Sequence, residues 1–120
     1  MNEKDYFKEL LGVEILEVGD GFSNAQMKIT KNHTNFHGVT HGGAIFALAD
    51  CAFAEAVNFG EKKAVAVQVS INFLRPSFVG DVLIAKAKRV SEGKTFGLYE
   101  ITIFKEEKTV AVFTGLAYKT

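Results

Sequence analysis

The chain has 120 residues and a mass of 13.1 kDa, which is enough for one domain over residues 1–120 with a single core. Its 14 Lys and Arg residues balance its 14 Asp and Glu residues, so it lacks the positive field that holds nucleic acid or an anionic membrane. No apolar stretch approaches the roughly 18 residues of a membrane span. We therefore expect a soluble globular protein with neither nucleic acid nor membrane as a partner.

The cysteine content and the N-terminus favour the cytoplasm. The single cysteine, Cys51, cannot form an internal disulfide, and no apolar signal core follows the charged residues 1–5. Zero net charge also does little to keep copies of the chain apart, which is a first hint of self-association.

The N-terminal third of the chain predicts a short helix and a hairpin. Residues 5–11 form the helix, and residues 13–18 and 22–29 form the hairpin around a Gly19-Asp20-Gly21 turn. Residues 30–40 are polar and irregular. The predicted helix carries four apolar residues on one side, namely Tyr6, Phe7, Leu10 and Leu11.

A long helix is predicted over residues 41–59, because this stretch is rich in Ala and Leu and is followed by Gly60. It would make about five turns. The helix is apolar nearly all round, whereas one sheet covers only one side of it. A second cover is therefore needed, and we expect it to be another copy of the chain, which makes the protein at least a homodimer.

The remaining residues predict four strands and therefore an α+β fold. Residues 65–73 alternate and end before Pro76, and residues 82–90, 95–104 and 109–118 follow with short turns, as in an antiparallel meander. One face of the first of these strands is predicted to be wholly apolar, with Val65, Val67, Val69, Ile71 and Phe73. Its other face carries the uncharged residues Gln68, Ser70 and Asn72, which a partner copy could also bury.

Asp50 is the most informative single residue. It is the only charged residue between Gly42 and Ala54, in the middle of the predicted helix. Burying an unpaired carboxylate raises its pKa or costs several kcal/mol. Asp50 is therefore either a reactive acid or base, or a structural cap for a neighbouring loop.

Two glycines, Gly42 and Gly43, lead into the same helix. Glycines at a helix start leave backbone N–H groups accessible, and the positive end of the helix dipole favours an anion or a developing oxyanion. No P-loop or G-x-G-x-x-G pattern is present, so a nucleotide-phosphate cradle is poorly supported. Tight packing of the helix start is the competing interpretation. Gly42 and Asp50 lie eight residues apart, about 12 Å along a helix axis, so they reach one carbonyl only if a second subunit supplies one of them.

Residues 35–53 carry a recognisable pattern, which reads Asn35-x-x-Gly38-x-x-His41-Gly42-Gly43-Ala44-Ile45-Phe46-x-Leu48-Ala49-Asp50-x-Ala52-Phe53. It resembles the signature of the PaaI-type acyl-CoA thioesterases of the hotdog fold. The resemblance implies one long central helix wrapped by an antiparallel sheet of about five to six strands. It also implies a homodimer with the active site at its interface, often paired into a tetramer.

By position, the resemblance assigns four catalytic roles. Asp50 is the catalytic carboxylate, the Gly42 N–H polarises the thioester carbonyl, Asn35 positions water or substrate, and His41 shapes the pocket. Whether Asp50 acts as general base or as nucleophile stays open. The leaving thiol has a pKa of about 8.5, so its thiolate departs with little help from a general acid. One carboxylate and one oxyanion site are therefore enough for hydrolysis.

The substrate implied is a small, aryl or medium-chain acyl-CoA, with no cofactor and no metal. Predicted substrate contacts are Gly43, Gln68, Ser70, Arg75 and Lys94. Two other functions stay open at this point: an acyl dehydratase or hydratase that uses His41 with Asp50, and a non-catalytic acyl-CoA sensor. A metal site on His33, His37 and His41 is disfavoured because this segment is not helical, and we expect these residues to be exposed. Cys51 and Glu55 receive no catalytic role.

Overall fold

A computed structural model describes residues 4–120. Two helices and six strands occur in chain order: α1 (Tyr6–Leu11), β1 (Glu14–Gly19), β2 (Phe22–Lys28), α2 (Gly42–Val57), β3 (Ala64–Phe73), β4 (Val82–Glu92), β5 (Phe96–Lys105) and β6 (Lys108–Lys119). A single 3-10 turn, Lys31–His33, follows β2. None of the helices within residues 4–120 is long and apolar enough to cross a membrane.

The six strands form one antiparallel sheet in the order β1-β2-β4-β5-β6-β3, and all six contact α2. The predicted meander over the last three strands is confirmed. β3 does not lie beside β4, its neighbour in sequence, but crosses over to pair with β6 at the edge of the sheet. The α+β prediction of one long helix wrapped by an antiparallel sheet is confirmed, with six strands.

The first helix is confirmed, but its predicted apolar side is not buried. The Asp5 carboxylate accepts a hydrogen bond from the Lys8 N–H at 3.0 Å, and Gly12 ends the helix with a φ of 77°. Tyr6 and Leu10 are 77% and 79% exposed, and Phe7 is also exposed. Only Leu11 packs against the core, because the helix is six residues long and meets the core at its last turn.

The sheet covers α2 more completely than expected. Ten of its sixteen residues are buried, so the sheet curls around the helix rather than covering one side. The part left uncovered is a narrow strip with Gly43, Asp50 and Ala54. α2 ends two residues earlier than predicted, at Val57, and Asn58 rather than Gly60 caps it.

A β-bulge divides the predicted apolar face of β3. The register with β6 shifts between Ala66 and Gln68, which leaves Val67 as the extra residue. Val69 and Ile71 pack on the core, but Val65 pairs with Tyr118 on the outer face and is 54% exposed. The prediction of one continuous face was wrong because a bulge shifts the alternation by one residue.

Three aromatic rings meet in the core between α2 and the sheet. Phe53 of α2 lies 5.8 Å from both Tyr99 and Phe113, centroid to centroid. Gly115 of β6 makes room for Phe53, since a Cβ at this glycine would lie 2.7 Å from the ring. These contacts fix the height and rotation of α2, and with them the place of Asp50.

Candidate active site

Asp50 lies halfway along α2 in the uncovered strip, half-buried and flanked one turn away by Ala47 and Ala54. No other residue between 4 and 120 donates a hydrogen bond to its carboxylate. Burial raises the pKa of Asp50 above its ordinary value, and the negative charge of Asp5 raises it further. Asp50 therefore caps no loop within residues 4–120. A carboxylate with raised basicity and no partner is suited to act on a substrate.

The start of α2 leaves one backbone N–H group available. His41 is the N-cap, and its Nδ1 accepts a hydrogen bond from the Gly43 N–H at 2.8 Å. The His41 carbonyl accepts from the N–H groups of Ala44 and Ile45 at 3.0 and 3.3 Å. The Gly42 N–H has no acceptor in the described part of the chain. It is the free donor of the helix start, where the helix dipole favours negative charge.

Gly42 lines an open cavity of about 390 Å³ between the helix start and the end of β3. A Cβ at Gly42 would lie 3.2 Å from Cζ of Phe73, so any larger residue narrows this cavity. Arg75 lines the same cavity, and its Nη1 donates to the Thr109 carbonyl at 2.8 Å. The remaining guanidinium N–H groups are left to bind an anion.

Asn35 has a structural role in the loop before α2. Its Oδ1 accepts hydrogen bonds from the N–H groups of His37 and Val39, at 2.9 and 3.3 Å, which forms an Asx turn. Its Nδ2 group bonds to no other described residue and stays available to a ligand. The single chain therefore brings together Gly42 and Arg75, and holds Asn35 in the loop that leads to them.

The other predicted site residues lie apart from this cavity within one chain. The Gly43 N–H is already used by His41, so Gly43 contributes no free donor. Gln68 and Ser70 are exposed on β3, at the open edge of the sheet. Lys94 lies in the turn between β4 and β5. The adjacent Gly93 carbonyl accepts from Nζ of Lys119, the last residue of β6. Lys119 lines a cavity at the C-terminal end of α2, together with Val57, and not the cavity at the helix start.

Gly42 and Asp50 are on the same helix, and their separation along its axis is about 12 Å. His41 is one residue further from Asp50 than Gly42 is, and its Nδ1 accepts the hydrogen bond that caps the helix. A single chain therefore does not place His41 and Asp50 on one substrate carbon, as proton transfer in a dehydratase would need.

His33 is buried, against the expectation that the loop histidines are exposed. Its Nδ1 accepts from the Thr30 N–H at 2.9 Å, and its Nε2 donates to the Leu11 carbonyl at 2.7 Å. It ties α1 to the loop before α2. His37 and His41 are exposed as expected. Residues 4–120 contain no group of three or more His, Cys, Asp or Glu side chains that could hold a metal ion.

Cys51 is buried, and burial together with the carboxylates of Asp5 and Asp50 raises the pKa of its thiol to about 11. The thiol is thus protonated at neutral pH and a poor nucleophile. Glu55 is half-buried five residues beyond Asp50 on α2, about 140° around the helix from it.

Two features of the site left no signal in the sequence pattern. Thr40 and Ser77 are buried and hydrogen-bonded to each other although 37 residues separate them. A second cavity of about 300 Å³ lies at the C-terminal end of α2, over Val57, Tyr99 and Ala117. The hydroxyl pair and this cavity both depend on which segments the folded sheet brings together, and the local periodicity of the sequence carries no information about that.

A half-buried carboxylate on a long helix, wrapped by a six-stranded antiparallel sheet, is the arrangement of a hotdog-fold thioesterase. Residues 37–112 match the thioesterase superfamily, and the chain belongs to it. The chain is 42% identical to the acyl-coenzyme A thioesterase PaaI of Escherichia coli (strain K12) over 120 residues, which cover 99% of this chain and 86% of that relative.

Solved structures agree with this assignment. The structure of the E. coli PaaI protein matches with a TM-score of 0.94 and 41% identity, over 98% of this chain and 86% of that one. A hypothetical thioesterase from Streptococcus pneumoniae TIGR4, crystallised with coenzyme A, matches with a TM-score of 0.85 and 29% identity, over 90% and 88%.

Proposed function

We propose that the protein is an acyl-CoA thioesterase of the PaaI type, which hydrolyses a small, aryl or medium-chain acyl-CoA to the free acid and CoA. The observation that carries this proposal is the Asp50 carboxylate. It is half-buried on the central helix of a thioesterase-superfamily fold, with its pKa raised by burial and no partner within the described chain. The E. coli relative named for this activity supports the same assignment.

The working unit is a homodimer, formed through the open edge of β3. This strand pairs with β6 on one side, and no described strand lies on its other side. Its unpaired N–H and C=O groups can bond to the same strand of a second copy, and its exposed Val65 and Val67 would be covered there. Gly42 of the partner subunit would then approach Asp50, and both could act on one carbonyl. Within one chain, a spacing of about 12 Å along the helix axis keeps Gly42 and Asp50 apart. Pairing of two such dimers into a tetramer is a further expectation.

In the hydrolysis, the thioester carbonyl oxygen accepts a hydrogen bond from the Gly42 N–H. Asp50 then removes a proton from water as the water oxygen attacks the carbonyl carbon, or its own oxygen attacks that carbon to form an anhydride that water cleaves. The carbon–sulfur bond breaks, the electron pair leaves on sulfur, and the thiolate takes up a proton. One well-placed oxyanion donor is worth about 3 kcal/mol of this barrier.

The residues around the cavity at the helix start would bind the substrate. The Nδ2 group of Asn35 would orient the water or the carbonyl, and His41 would hold the loop through its cap. Arg75 is the residue placed to bind a phosphate of CoA, because its guanidinium lines the same cavity as Gly42. Gln68, Ser70 and Lys94 would contribute from the other chain, with Gly43 providing a close backbone approach.

The cytoplasm is the predicted location of the protein, and this prediction rests on the cysteine content.

The test is thiol release from a panel of short, long and aryl acyl-CoAs, followed with a thiol-reactive dye. Asp50→Asn keeps the shape of the side chain and should lower kcat by roughly 100-fold or more, because general-base catalysis contributes about that much. Glu55→Gln is the matched control, a second carboxylate of the same helix, and should retain activity. An Asp50→Asn variant with unchanged rate would overturn the assignment. Tight CoA binding without thiol release would indicate a sensor, and an absorbance change without thiol would indicate dehydration.

A further inference from the structure

Two buried hydroxyl groups join the walls of the cavity at the helix start. Ser77 is 1% exposed and Thr40 is 6% exposed. The Ser77 Oγ donates to the Thr40 Oγ1 at 2.7 Å, and the Thr40 N–H donates to the Ser77 carbonyl at 2.9 Å. These two hydrogen bonds make a double link between the segment before α2 and the segment after β3.

Each partner of this link lies two residues from a group of the proposed site. Thr40 precedes Gly42, whose N–H group is free, and Ser77 follows Arg75 across Pro76. Gly42 and Arg75 line the same cavity. The link therefore joins the segment that carries the free Gly42 N–H to the segment that carries Arg75.

The fold alone does not require hydroxyl groups at these positions. A buried hydroxyl pair contributes little net stability compared with apolar groups of the same shape, because both groups lose their hydrogen bonds to water on folding. The pair does restrict geometry, because a hydrogen bond holds its two atoms within a narrow range of distance and angle. Two apolar groups in contact can shift against each other. The pair is therefore suited to hold a geometry.

We propose that Thr40 and Ser77 are positioning residues, which hold the Gly42 N–H in the orientation that binds the developing oxyanion. This inference rests on the proposed thioesterase function. The transition state is sensitive to such placement, because a misplacement of about 1 Å can reduce the rate by roughly 100-fold. Ground-state binding of the acyl-CoA is far less sensitive to the placement of this N–H, because the binding energy is spread over many contacts. Loss of the link should thus lower kcat more than it raises KM.

The variants Thr40→Val and Ser77→Ala each remove one hydroxyl and keep the backbone hydrogen bond. We expect each to lower kcat by about 10-fold with KM changed less than about 2-fold, as for an interaction made in the transition state. The double variant should lose no more than either single variant, because both remove the same link. Thr40→Ser keeps the hydroxyl and should restore most of the rate.

Ser23→Ala is the matched control for the loss of a buried hydroxyl. The Ser23 Oγ donates to the Ala52 carbonyl at 2.5 Å, in the middle of α2 and two residues beyond Asp50, and Ser23 is fully buried. The helix hydrogen bonds and the packing of Phe53 already hold the backbone there, whereas the Gly42 N–H at the helix start has no such bond. This variant should lower the melting temperature and leave kcat unchanged. If Thr40→Val and Ser77→Ala behave like Ser23→Ala, or if their losses add in the double variant, the positioning role is wrong.

The same assay separates this inference from the function on which it rests. Thiol release that Asp50→Asn abolishes but Ser77→Ala leaves intact would refute the positioning role alone. A wild-type protein that releases no thiol from any acyl-CoA would refute both.

Discussion

Gly115→Ala should destabilise the protein, because β6 has no space for a methyl group at this position. The new Cβ would lie 2.7 Å from two ring atoms of Phe53, where contacts between carbon atoms are optimal at about 3.5–4.0 Å. The ring cannot simply turn away, since Tyr99 and Phe113 pack against it with centroids 5.8 Å away. Overpacking of this kind costs about 1–3 kcal/mol.

For a domain of this size, 1 kcal/mol shifts the melting temperature by about 4 °C, so we expect a decrease of roughly 4–12 °C. Thermal unfolding followed by circular dichroism at one protein concentration measures it. Gly93→Ala is the matched control, because a Cβ there meets only the Phe96 carbonyl at an ordinary 3.8 Å. A Gly115→Ala variant that melts with the wild type would show that Phe53 has room to move, and that the aromatic cluster does not fix α2.

Four further predictions concern the site and the sheet edge. Asp5→Asn keeps the cap of α1, since Asn caps as well as Asp, but removes the charge that raises the pKa of Asp50, so the acid limb of the pH–rate profile should move to lower pH. A limb that does not move would mean that Asp5 has no influence on the catalytic carboxylate. Asp50→Asn should unfold at an equal or higher temperature than the wild type at pH 8, because a carboxyl group with a raised pKa opposes folding once it is ionised. A lower unfolding temperature for the variant would show that the Asp50 carboxylate has a stabilising partner. Cys51, with its pKa of about 11, should resist thiol reagents in the native protein at pH 8 and react after unfolding in urea, and Cys51→Ala should retain full kcat. Val67→Lys places a charge at the exposed bulge of β3 and should give a monomer by sedimentation with thiol release reduced at least about 100-fold, whereas an active monomer would contradict a site shared between subunits.

The elements with a strong local pattern could be predicted from the sequence. The Ala- and Leu-rich stretch predicts α2, and the spacing of Gly42 and Asp50 along it follows from helix geometry. The Gly19-Asp20-Gly21 turn predicts the hairpin because glycine tolerates the positive φ that a tight turn needs, and in the structure Gly21 has a φ of 81°. These features depend on a few neighbouring residues and on the fixed rise and rotation of a helix or strand.

The extent of burial was harder to predict. The sequence indicated an apolar side on α1, but the structure leaves Tyr6 and Leu10 exposed. It indicated exposed histidines, but His33 is buried with both ring nitrogens bonded. Hydrophobicity predicts which residues prefer burial, and the depth reached depends on where an element meets the rest of the chain.

The residues of the chain by themselves determined the class of fold, the central helix and the carboxylate on it, because each is encoded in local composition and period. Only the tertiary structure decided that β3 pairs with β6 through a bulge, that the Gly42 N–H stays free, and that Ser77 meets Thr40 beside it. These depend on contacts between residues tens of positions apart. Such contacts form when the whole sheet closes around α2, and a pattern that repeats every two or 3.6 residues carries no information about them.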